Sequence, residues 1–467
     1  MNRVKMRNYA FSKATLARGL LAGTVLASAM AGVGLTAHRG EASVSRDQTT
    51  LRVVGFEVSP SEKGTPLDLA YQKFLATFQQ AHAGIKVTSL PTPPDFDTKM
   101  LVDLAAGTAP DVWSQDASTL APLVHGNYVL DMRKCTTAVP ALNLTRFFPT
   151  VLAIHKGPDG SVYGLPNDFT PMMIYYNALD FKRANVPPPT ADWTWNDLLK
   201  MAQKLTLDNK GRNRLDAAFD DKHVVQWGFR VRKYTFEWLY RLWENGSDVV
   251  SPNFKTATGY LDSPQSMQAL QFMQDLVLKY KVAPTPSALD QMTQSVGFDD
   301  RFLKGDFAMF DRGHWELSGF KASKFYNPKA VAVVSQPKSK NHTTVIYESS
   351  WQIRGDLTGA KQTAACQFVE AATARQYQDT KVITGIAIAA NKDAAAGAVS
   401  KAQLPAVEKV FIQEATNGRA PYGSKYYKWP TLEKRLDSMM ERILANGSVK
   451  TETANAVKDI NRELSRP

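Results

Sequence analysis

The chain has 467 residues, which is too long for one compact core and suits two or three lobes. Hydrophobic residues make up 44% and charged residues 21% of the chain, ordinary proportions for a globular protein, and the lack of a short repeat excludes solenoids and propellers. The formal net charge is +12, but the basic residues form no Lys/Arg block, so the composition argues against a nucleic-acid partner.

The first segment predicts an export signal. Five basic residues and no acidic residue accompany an apolar run from Leu20 to Ala37 that is rich in small residues. This order is typical of a secretory signal peptide, expected over residues 1–37, with a polar linker over residues 38–50. An uncleaved membrane anchor is the alternative. No Cys follows the apolar run, which excludes the usual bacterial lipoprotein anchor.

Strands and helices alternate after the linker. The pattern predicts strands over residues 51–58, 85–90 and 110–116, with helices over residues 65–84 and 96–108 between them. The apolar face of the first helix consists of Leu67, Tyr71, Phe74, Leu75 and Phe78. This rhythm predicts an α/β fold with a mostly parallel sheet.

A second α/β system follows residue 171. The pattern predicts strands over residues 172–177, 306–312, 330–337 and 347–355, and helices over residues 190–206, 236–246, 263–282, 431–447 and 451–464. Trp195 and Trp238 lie on two of these amphipathic helices and are expected in the core.

The stretch YGLPNDFTPMMIYYN, residues 163–177, lies between the two systems. Pro166 and Pro171 favour extended geometry in the residues before them. Asn167 and Asp168 tolerate unusual backbone angles. These residues predict an interlobe connection, and a hairpin with a five-residue loop is the alternative.

Cys135 and Cys366 are the two cysteines of the chain. An export signal permits a disulfide between them. Cys366 also lies in a helix-like run, where a buried free thiol is equally natural. The sequence leaves both states open and favours free thiols.

The common catalytic motifs are missing. The sequence has no G-x-S-x-G, H-E-x-x-H, G-x-x-x-x-G-K-[ST] or C-x-x-C, and its seven histidines lie far apart. We therefore expect no enzyme activity, no cofactor and no metal site. An exported glycoside hydrolase stays an alternative, because folding could bring together two loop carboxylates.

Aromatic residues lie near the predicted ends of strands and helices. Trp315 follows Gly313, and Trp429 lies between Lys428 and Pro430, so both are expected on surface loops. An aromatic ring can stack on the apolar face of a sugar, while nearby acids and amides bind its hydroxyl groups. Core packing is the alternative for each ring.

Six segments, in this order, resemble the extracytoplasmic solute-binding proteins of ABC importers, and more narrowly the maltose-binding-like, carbohydrate-binding family. They lie between about residue 51 and residue 445 and read FLATFQQAHAGIKV, LVDLAAGTAPDVW, VYGLPNDFTPMMIYYNALDFKRANVPPPTADWTWNDLLKMAQKL, YLDSPQSMQALQFMQDLVLKYKVAP, FLKGDFAMFDRGHWEL and GAKQTAACQFVEAAT.

The resemblance implies a periplasmic-binding-protein fold, in which two α/β lobes are joined by hinge crossings. It places the crossings near residues 167–171, 347–351 and 422–428. The expected parts are the first lobe over residues 51–166 and 347–421, and the second lobe over residues 171–346 and 422–467.

The resemblance and the loop positions together give a set of candidate ligand-binding residues. They are Gln115, Asp116, Asp168, Trp315, Glu348, Ser349, Trp351, Tyr427 and Trp429. Relatives often have a Gly pair where this chain has Glu348-Ser349-Ser350, which implies a narrower and more acidic cleft.

The resemblance implies a non-enzymatic, monomeric receptor that binds a carbohydrate and delivers it to the membrane permease subunits of an ABC importer. Its expected location is the periplasm or the extracellular cell surface. A receptor of the same fold for a polyol phosphate, a polyamine or a metal chelate is the other alternative.

Overall fold

The structure is a computed structural model that describes residues 48–55, 64–93, 95–382, 385, 387–402 and 404–466. The predicted signal peptide and most of the predicted linker lie outside these ranges. Within them, every helix is too short or too polar to traverse a bilayer.

The strands are β1 (Thr49–Val54), β2 (Ile85–Leu90), β3 (Val112–Asp116), β4 (Leu165–Pro166), β5 (Asp168–Pro171), β6 (Met173–Asn177), β7 (Leu207–Asp208), β8 (Val224–Gln226), β9 (Met309–Arg312), β10 (Val331–Val334), β11 (Thr344–Tyr347), β12 (Ser349–Ile353), β13 (Ile388–Ala389) and β14 (Gly418–Arg419). The helices are α1 (Pro66–Ala81), α2 (Phe96–Ala105), α3 (Leu120–His125), α4 (Arg133–Ala138), α5 (Pro149–Ala153), α6 (Ala178–Arg183), α7 (Trp195–Leu205), α8 (Tyr240–Glu244), α9 (Pro264–Leu278), α10 (Pro286–Ser295), α11 (Phe298–Lys304), α12 (Glu316–Ala322), α13 (Gly359–Thr373), α14 (Arg375–Val382), α15 (Lys392–Lys401), α16 (Pro405–Glu414), α17 (Trp429–Leu444) and α18 (Val449–Leu464).

The first lobe is built on a five-stranded sheet with the order β2-β1-β3-β12-β4. Helix α1 packs on it and begins at Thr65, whose side chain accepts a hydrogen bond from the backbone N–H of Asp68. The five apolar residues predicted to share one face of α1 are all buried. The 3.6-residue period of the sequence therefore identified this helix and the face that it buries.

The second lobe is built on a three-stranded sheet with the order β10-β6-β9. Helix α7 begins with a capping box between Thr194 and Asp197, and its apolar face joins a core shared with α9, α17 and α18. Trp238 is fully buried in this core, and Trp195 packs partly buried against it. Both tryptophans therefore serve packing, as expected.

The α/β fold is confirmed, but the strand directions differ in part from the expected mostly parallel pairing. Pairs β1–β2 and β1–β3 are parallel, whereas β12–β3, β12–β4, β6–β9 and β6–β10 are antiparallel. Short buried apolar runs are typical of parallel strands, but the same run is compatible with either direction when both faces are covered.

At two places, consecutive strands of the chain belong to different sheets. Strand β4 pairs with β12 in the first lobe, while β5, one residue later, pairs with β11 and β13 in a separate sheet. Asn167 lies between β4 and β5, and Glu348 lies between β11 and β12. Because β5 pairs with neither β4 nor β6, the stretch from residue 163 to 177 passes from one sheet to another and is not a hairpin.

The short 3-10 turn Tyr422–Ser424, at the third predicted crossing, lies close to Ser118. A Cβ atom on Gly423 would lie 1.7 Å from the carbonyl oxygen of Ser118, so only glycine fits this contact. Residues of β13, α15 and α16 share an apolar cluster with residues of β5, β6 and β9. The lobe boundaries given above stay a prediction.

The stretch 236–246, expected to be an amphipathic helix, forms the 3-10 turn Thr235–Glu237 and the short helix α8. Every residue of α8 is buried, including Arg241 and Glu244. The Arg241 guanidinium binds Glu244 Oε1 at 2.9 Å and Asp311 Oδ1 at 2.8 Å. In the sequence these charged residues resemble the solvated face of an amphipathic helix, but in the structure they are paired inside the lobe.

Cys135 of α4 and Cys366 of α13 form a disulfide, with their Cα atoms 5.2 Å apart. Free thiols, which the sequence favoured, are therefore not found. Both residues lie in the core of the first lobe, on segments separated by 231 positions, and only the fold brings them together.

Reduction of this disulfide is expected to lower the free energy of unfolding by about 2–5 kcal/mol, because the bond closes a long loop in the unfolded chain. Urea denaturation with and without a reducing agent measures the effect, with a Cys135→Ser/Cys366→Ser variant as the control that reductant cannot shift. Equal midpoints for the oxidised and the fully reduced wild type would contradict this expectation.

Candidate ligand-binding site at the crossing strands

Hydrogen bonds between the first two crossings hold them side by side. The backbone N–H of Asn167 donates to the carbonyl oxygen of Ser349 at 2.8 Å. The Asp168 carboxylate accepts from the backbone N–H of Ser349 at 2.9 Å and from its hydroxyl group at 2.6 Å. Asp168 and Ser349, both predicted ligand residues, therefore bind each other and connect the crossings.

The end of β3 brings two further predicted residues to the crossings. In the sheet register Asp116 lies opposite Ser349, and Gln115 lies opposite Ser350. The Asp116 carboxylate accepts a hydrogen bond from the backbone N–H of Ser118 at 2.7 Å. Burial raises the pKa of Asp116 to about 6, and the negative charges of Asp97 and Asp168 add to this shift.

Glu348, another predicted residue, is buried at the second crossing. Its Oε1 atom lies 2.7 Å from Nε2 of His155, and both side chains are fully buried. Burial raises the pKa of Glu348 well above its usual value, and the charges of Asp168 and Asp116 act in the same direction. Burial, with the charge of Lys425, lowers the pKa of His155 to about 3. These shifts favour a neutral acid beside a neutral imidazole.

An aromatic corner adjoins these acids. Trp315, as predicted from its position after Gly313, is partly exposed, and its ring centroid lies 6.5 Å from that of Tyr347. The ring of Tyr347 meets that of Phe236 edge-on at 6.3 Å. A Cβ atom on Gly313 would lie 2.2 Å from the Trp315 ring, so the glycine makes room for the indole.

Sequence reasoning missed the residues that the second lobe adds to this corner. Glu433 and Asp437 lie on one face of α17. Burial raises the pKa of the Tyr347 phenol well above its usual value, and the negative charges of Glu433, Asp116 and Asp437 add to this shift. The backbone N–H of Thr235 donates to Asp437 at 2.6 Å, which fixes α17 beside the aromatic corner. The i,i+4 acid pair so close to a predicted crossing was the available signal.

Two predicted residues belong to the core instead. Trp351 is fully buried in the first lobe, packs edge-on against Phe368 and donates from Nε1 to Asn167 Oδ1 at 3.1 Å. Trp429 is 3% exposed and stacks on Tyr422 at 4.3 Å. Alternation along β12 turns Trp351 inward, and Trp429 begins α17 on its apolar face, so neither ring is available to a ligand.

Tyr427 lies elsewhere, beside a cavity of about 540 Å³ that also includes His125, Lys156 and Lys425 in its lining. Its ring stacks on that of His125 at 4.0 Å. None of the acids or rings of the aromatic corner lines this cavity. His155, the partner of Glu348, also lines this cavity, so the role of Tyr427 in ligand binding stays a prediction.

The arrangement suits reversible binding of a polar molecule that has apolar faces. The ring of Tyr347 adjoins those of Trp315 and Phe236, and the charges of Asp116 and Glu433 act on its phenol. Within the described ranges no group of His, Cys, Asp and Glu side chains has a geometry that could hold a metal ion. Rings with nearby acceptors supply stacking and hydrogen bonding, the two contacts typical of small-molecule clefts.

Two α/β lobes joined by adjacent crossings, with such a corner beside them, define a two-lobed solute-binding protein. The profile of the family described as bacterial extracellular solute-binding protein matches residues 73–408. Because this match covers most of the chain, the chain belongs to that family.

One individual relative shows low sequence identity to this chain. The chain is 25% identical over 180 residues to the melibiose/raffinose/stachyose-binding protein MelE of Bacillus subtilis, and the match covers 38% of each protein.

Solved structures share the fold. Protein Lmo0181 of Listeria monocytogenes, in complex with cycloalternan, has a TM-score of 0.74 at 21% identity, covering 90% of this chain and 100% of that one. UgpB of Mycobacterium tuberculosis, in complex with glycerophosphocholine, has a TM-score of 0.70 at 14% identity, covering 89% and 98%. The same fold therefore accommodates different ligands, and the ligand class of this protein must be argued from its own residues.

A Glu348→Gln substitution tests the state of the buried acid. Because the folded-state pKa of Glu348 lies above the ordinary value of 4.5, burial of this acid costs stability increasingly as pH rises above that value. Glutamine does not titrate, so we expect the variant to gain stability relative to wild type as pH rises from about 4.5 towards neutrality, by at most about 1.4 kcal/mol per pH unit.

Urea unfolding of both proteins across this pH range measures the difference. Glu441→Gln is the matched control, because Glu441 is half-exposed and its partner is Lys233 on the surface. A stability difference for Glu348→Gln that does not change with pH would show that Glu348 is buried as a carboxylate.

Proposed function

We propose that this protein is a non-enzymatic receptor that binds a carbohydrate between its two lobes and delivers it to the permease subunits of an ABC importer. The observation that carries this proposal is the aromatic corner of Trp315, Tyr347 and Phe236 beside the carboxylates of Asp116 and Glu433. A sugar ring presents an apolar face to stack on such rings and hydroxyl groups to donate to such carboxylates.

Relatives support the carbohydrate class. MelE is named for melibiose, raffinose and stachyose, and the Listeria protein was solved in complex with cycloalternan. The acids and rings of the corner come from both lobes, since Asp116 ends β3 of the first lobe and Glu433 lies on α17 of the second. A ligand that contacts both walls favours the closed arrangement, because only closure allows both sets of contacts.

The location and partner follow from the same proposal. A signal peptide over residues 1–37 would direct the chain out of the cytoplasm, and the missing lipoprotein Cys favours the periplasm over the cell surface. The loaded, closed monomer would then dock on the permease and release its sugar unchanged. An affinity in the micromolar range corresponds to about −8 kcal/mol, which a few stacked rings and hydrogen bonds can supply after the cost of closure.

Substitution Trp315→Ala is expected to weaken sugar binding by about tenfold to a hundredfold, because a stacking ring at the centre of a binding site carries a large share of the affinity. The thermal midpoint should change little, since this ring is partly exposed. A thermal-shift screen of neutral mono- and oligosaccharides identifies the ligand, and calorimetry measures the affinity.

The matched control is Tyr280→Ala, which removes a partly exposed ring just after α9. Unchanged affinity in the Trp315→Ala variant would reject the role of this residue. Hydrolysis of the bound sugar by the purified wild type would favour the exported glycoside hydrolase and contradict the receptor.

A further inference from the structure

Several carboxylates near the crossings raise one another's pKa values. Asp97 and Asp168 are the charged groups that raise the pKa of Asp116, after burial. Burial raises the pKa of Glu433 to about 7, and the negative charges of Asp437 and Asp116 add to this shift. Side chains from both lobes therefore concentrate negative charge at one place, and mutual repulsion of this kind is relieved by a cation.

A buried amide beside these acids has an unused acceptor. Gln115 is 1% exposed, and its Nε2 atom donates to Asp97 Oδ1 at 2.7 Å. Its Oε1 atom is buried without a hydrogen-bond partner. The unpaired oxygen belongs to the same amide group that binds Asp97. A buried acceptor without a donor costs free energy, so this position calls for a donor from a ligand.

The aromatic corner offers acceptors as well. The hydroxyl group of Tyr347 donates to the carbonyl oxygen of Phe236 at 3.4 Å, so its remaining capacity toward a ligand is that of an acceptor. The ring faces of Tyr347, Phe236 and Trp315 are partly negative. A group that only donates and carries positive charge fits these surroundings better than a hydroxyl group, which also needs donors.

The neighbouring cations are already paired. Lys233, whose charge reaches Asp437, donates to Glu441 at 2.6 Å. Arg232 binds Glu237 at 2.8 Å, and Arg312 binds the same carboxylate. Each of these three side chains therefore has a carboxylate partner other than Asp116 and Glu433.

We propose that the ligand is a carbohydrate with a protonated amino group, held between Asp116 of the first lobe and Glu433 of the second, with Gln115 Oε1 and the aromatic corner as further contacts. This inference rests on the proposed sugar-receptor function and names the chemical class of the sugar. An ammonium group that bridges both lobes would also couple recognition of the charge to closure.

Matched sugar pairs test the charge directly. Glucosamine is compared with glucose, galactosamine with galactose, and the β-1,4 disaccharide of glucosamine with cellobiose, by thermal shift and calorimetry at about pH 6.5, where the amines are protonated. In at least one pair the amino sugar is expected to bind about tenfold more tightly or better, because its charge meets partly desolvated carboxylates. N-acetylation of that amine should abolish the advantage.

Two isosteric variants locate the effect. Asp116→Asn and Glu433→Gln should each weaken binding of the amino sugar about tenfold more than they weaken binding of its neutral partner, because only the amine loses a charge-charge contact. Glu441→Gln, on the same helix as Glu433 but paired with Lys233, is the control that should keep the preference.

The possible failures are distinguishable. Neutral sugars that bind as tightly as their amino partners in every pair would overturn the amine inference and leave the sugar receptor intact. A preference that survives both variants would overturn the assigned residues. Absence of a shift with every sugar, neutral or amino, would overturn the receptor itself and the inference with it.

Discussion

The hydrogen bonds between Asn167, Asp168 and Ser349 are the contacts on which the rest of the architecture depends. They hold residues 167 and 168 beside residue 349, where the chain passes from one sheet to another. The candidate site is built from the ends of the same strands, so the contacts that fix these strands also fix the site.

Two buried glutamates of the molecule have opposite electrostatic surroundings. Inside the second lobe, Glu237 is surrounded by Arg230, Arg232 and Arg312, and the pKa of this acid is lowered because burial is outweighed by their positive charges. At the second crossing, Glu348 is buried beside His155, and burial with the charges of Asp168 and Asp116 raises its pKa. The arginines keep Glu237 ionised inside the second lobe, whereas burial disfavours the ionised form of Glu348.

Much of the fold was accessible from sequence because local periodicity was strong. The buried face of α1 and the presence of α7 and β3 were recognisable from the spacing of residue types, although α7 begins five residues later than predicted. The disulfide and the strand directions were not, because both depend on contacts between distant segments. Periodicity also misled over residues 236–246, whose charges pair internally instead of meeting water.

The site was predictable in part, for a similar reason. Loop position and resemblance gave Gln115, Asp116 and Trp315 as candidates; Gln115 and Asp116 lie opposite Ser350 and Ser349, and Trp315 lies beside Tyr347. They could not tell Trp351 and Trp429 from surface rings, because the side on which a residue lies is decided by the partners of its strand or helix. Glu433 escaped notice since its neighbours in space lie far from it in sequence.

The order of segments along the chain has a consequence for how the protein reaches its final form. Strand β12 and helix α13, which complete the first lobe, follow the whole of the second lobe's sheet in sequence. A chain that emerges amino terminus first therefore exposes α1, β1 and β3 without their central partners until about three quarters of its length has appeared. During that interval the unfinished apolar surfaces need protection by a holding chaperone, or by a delay of folding until the last helices arrive.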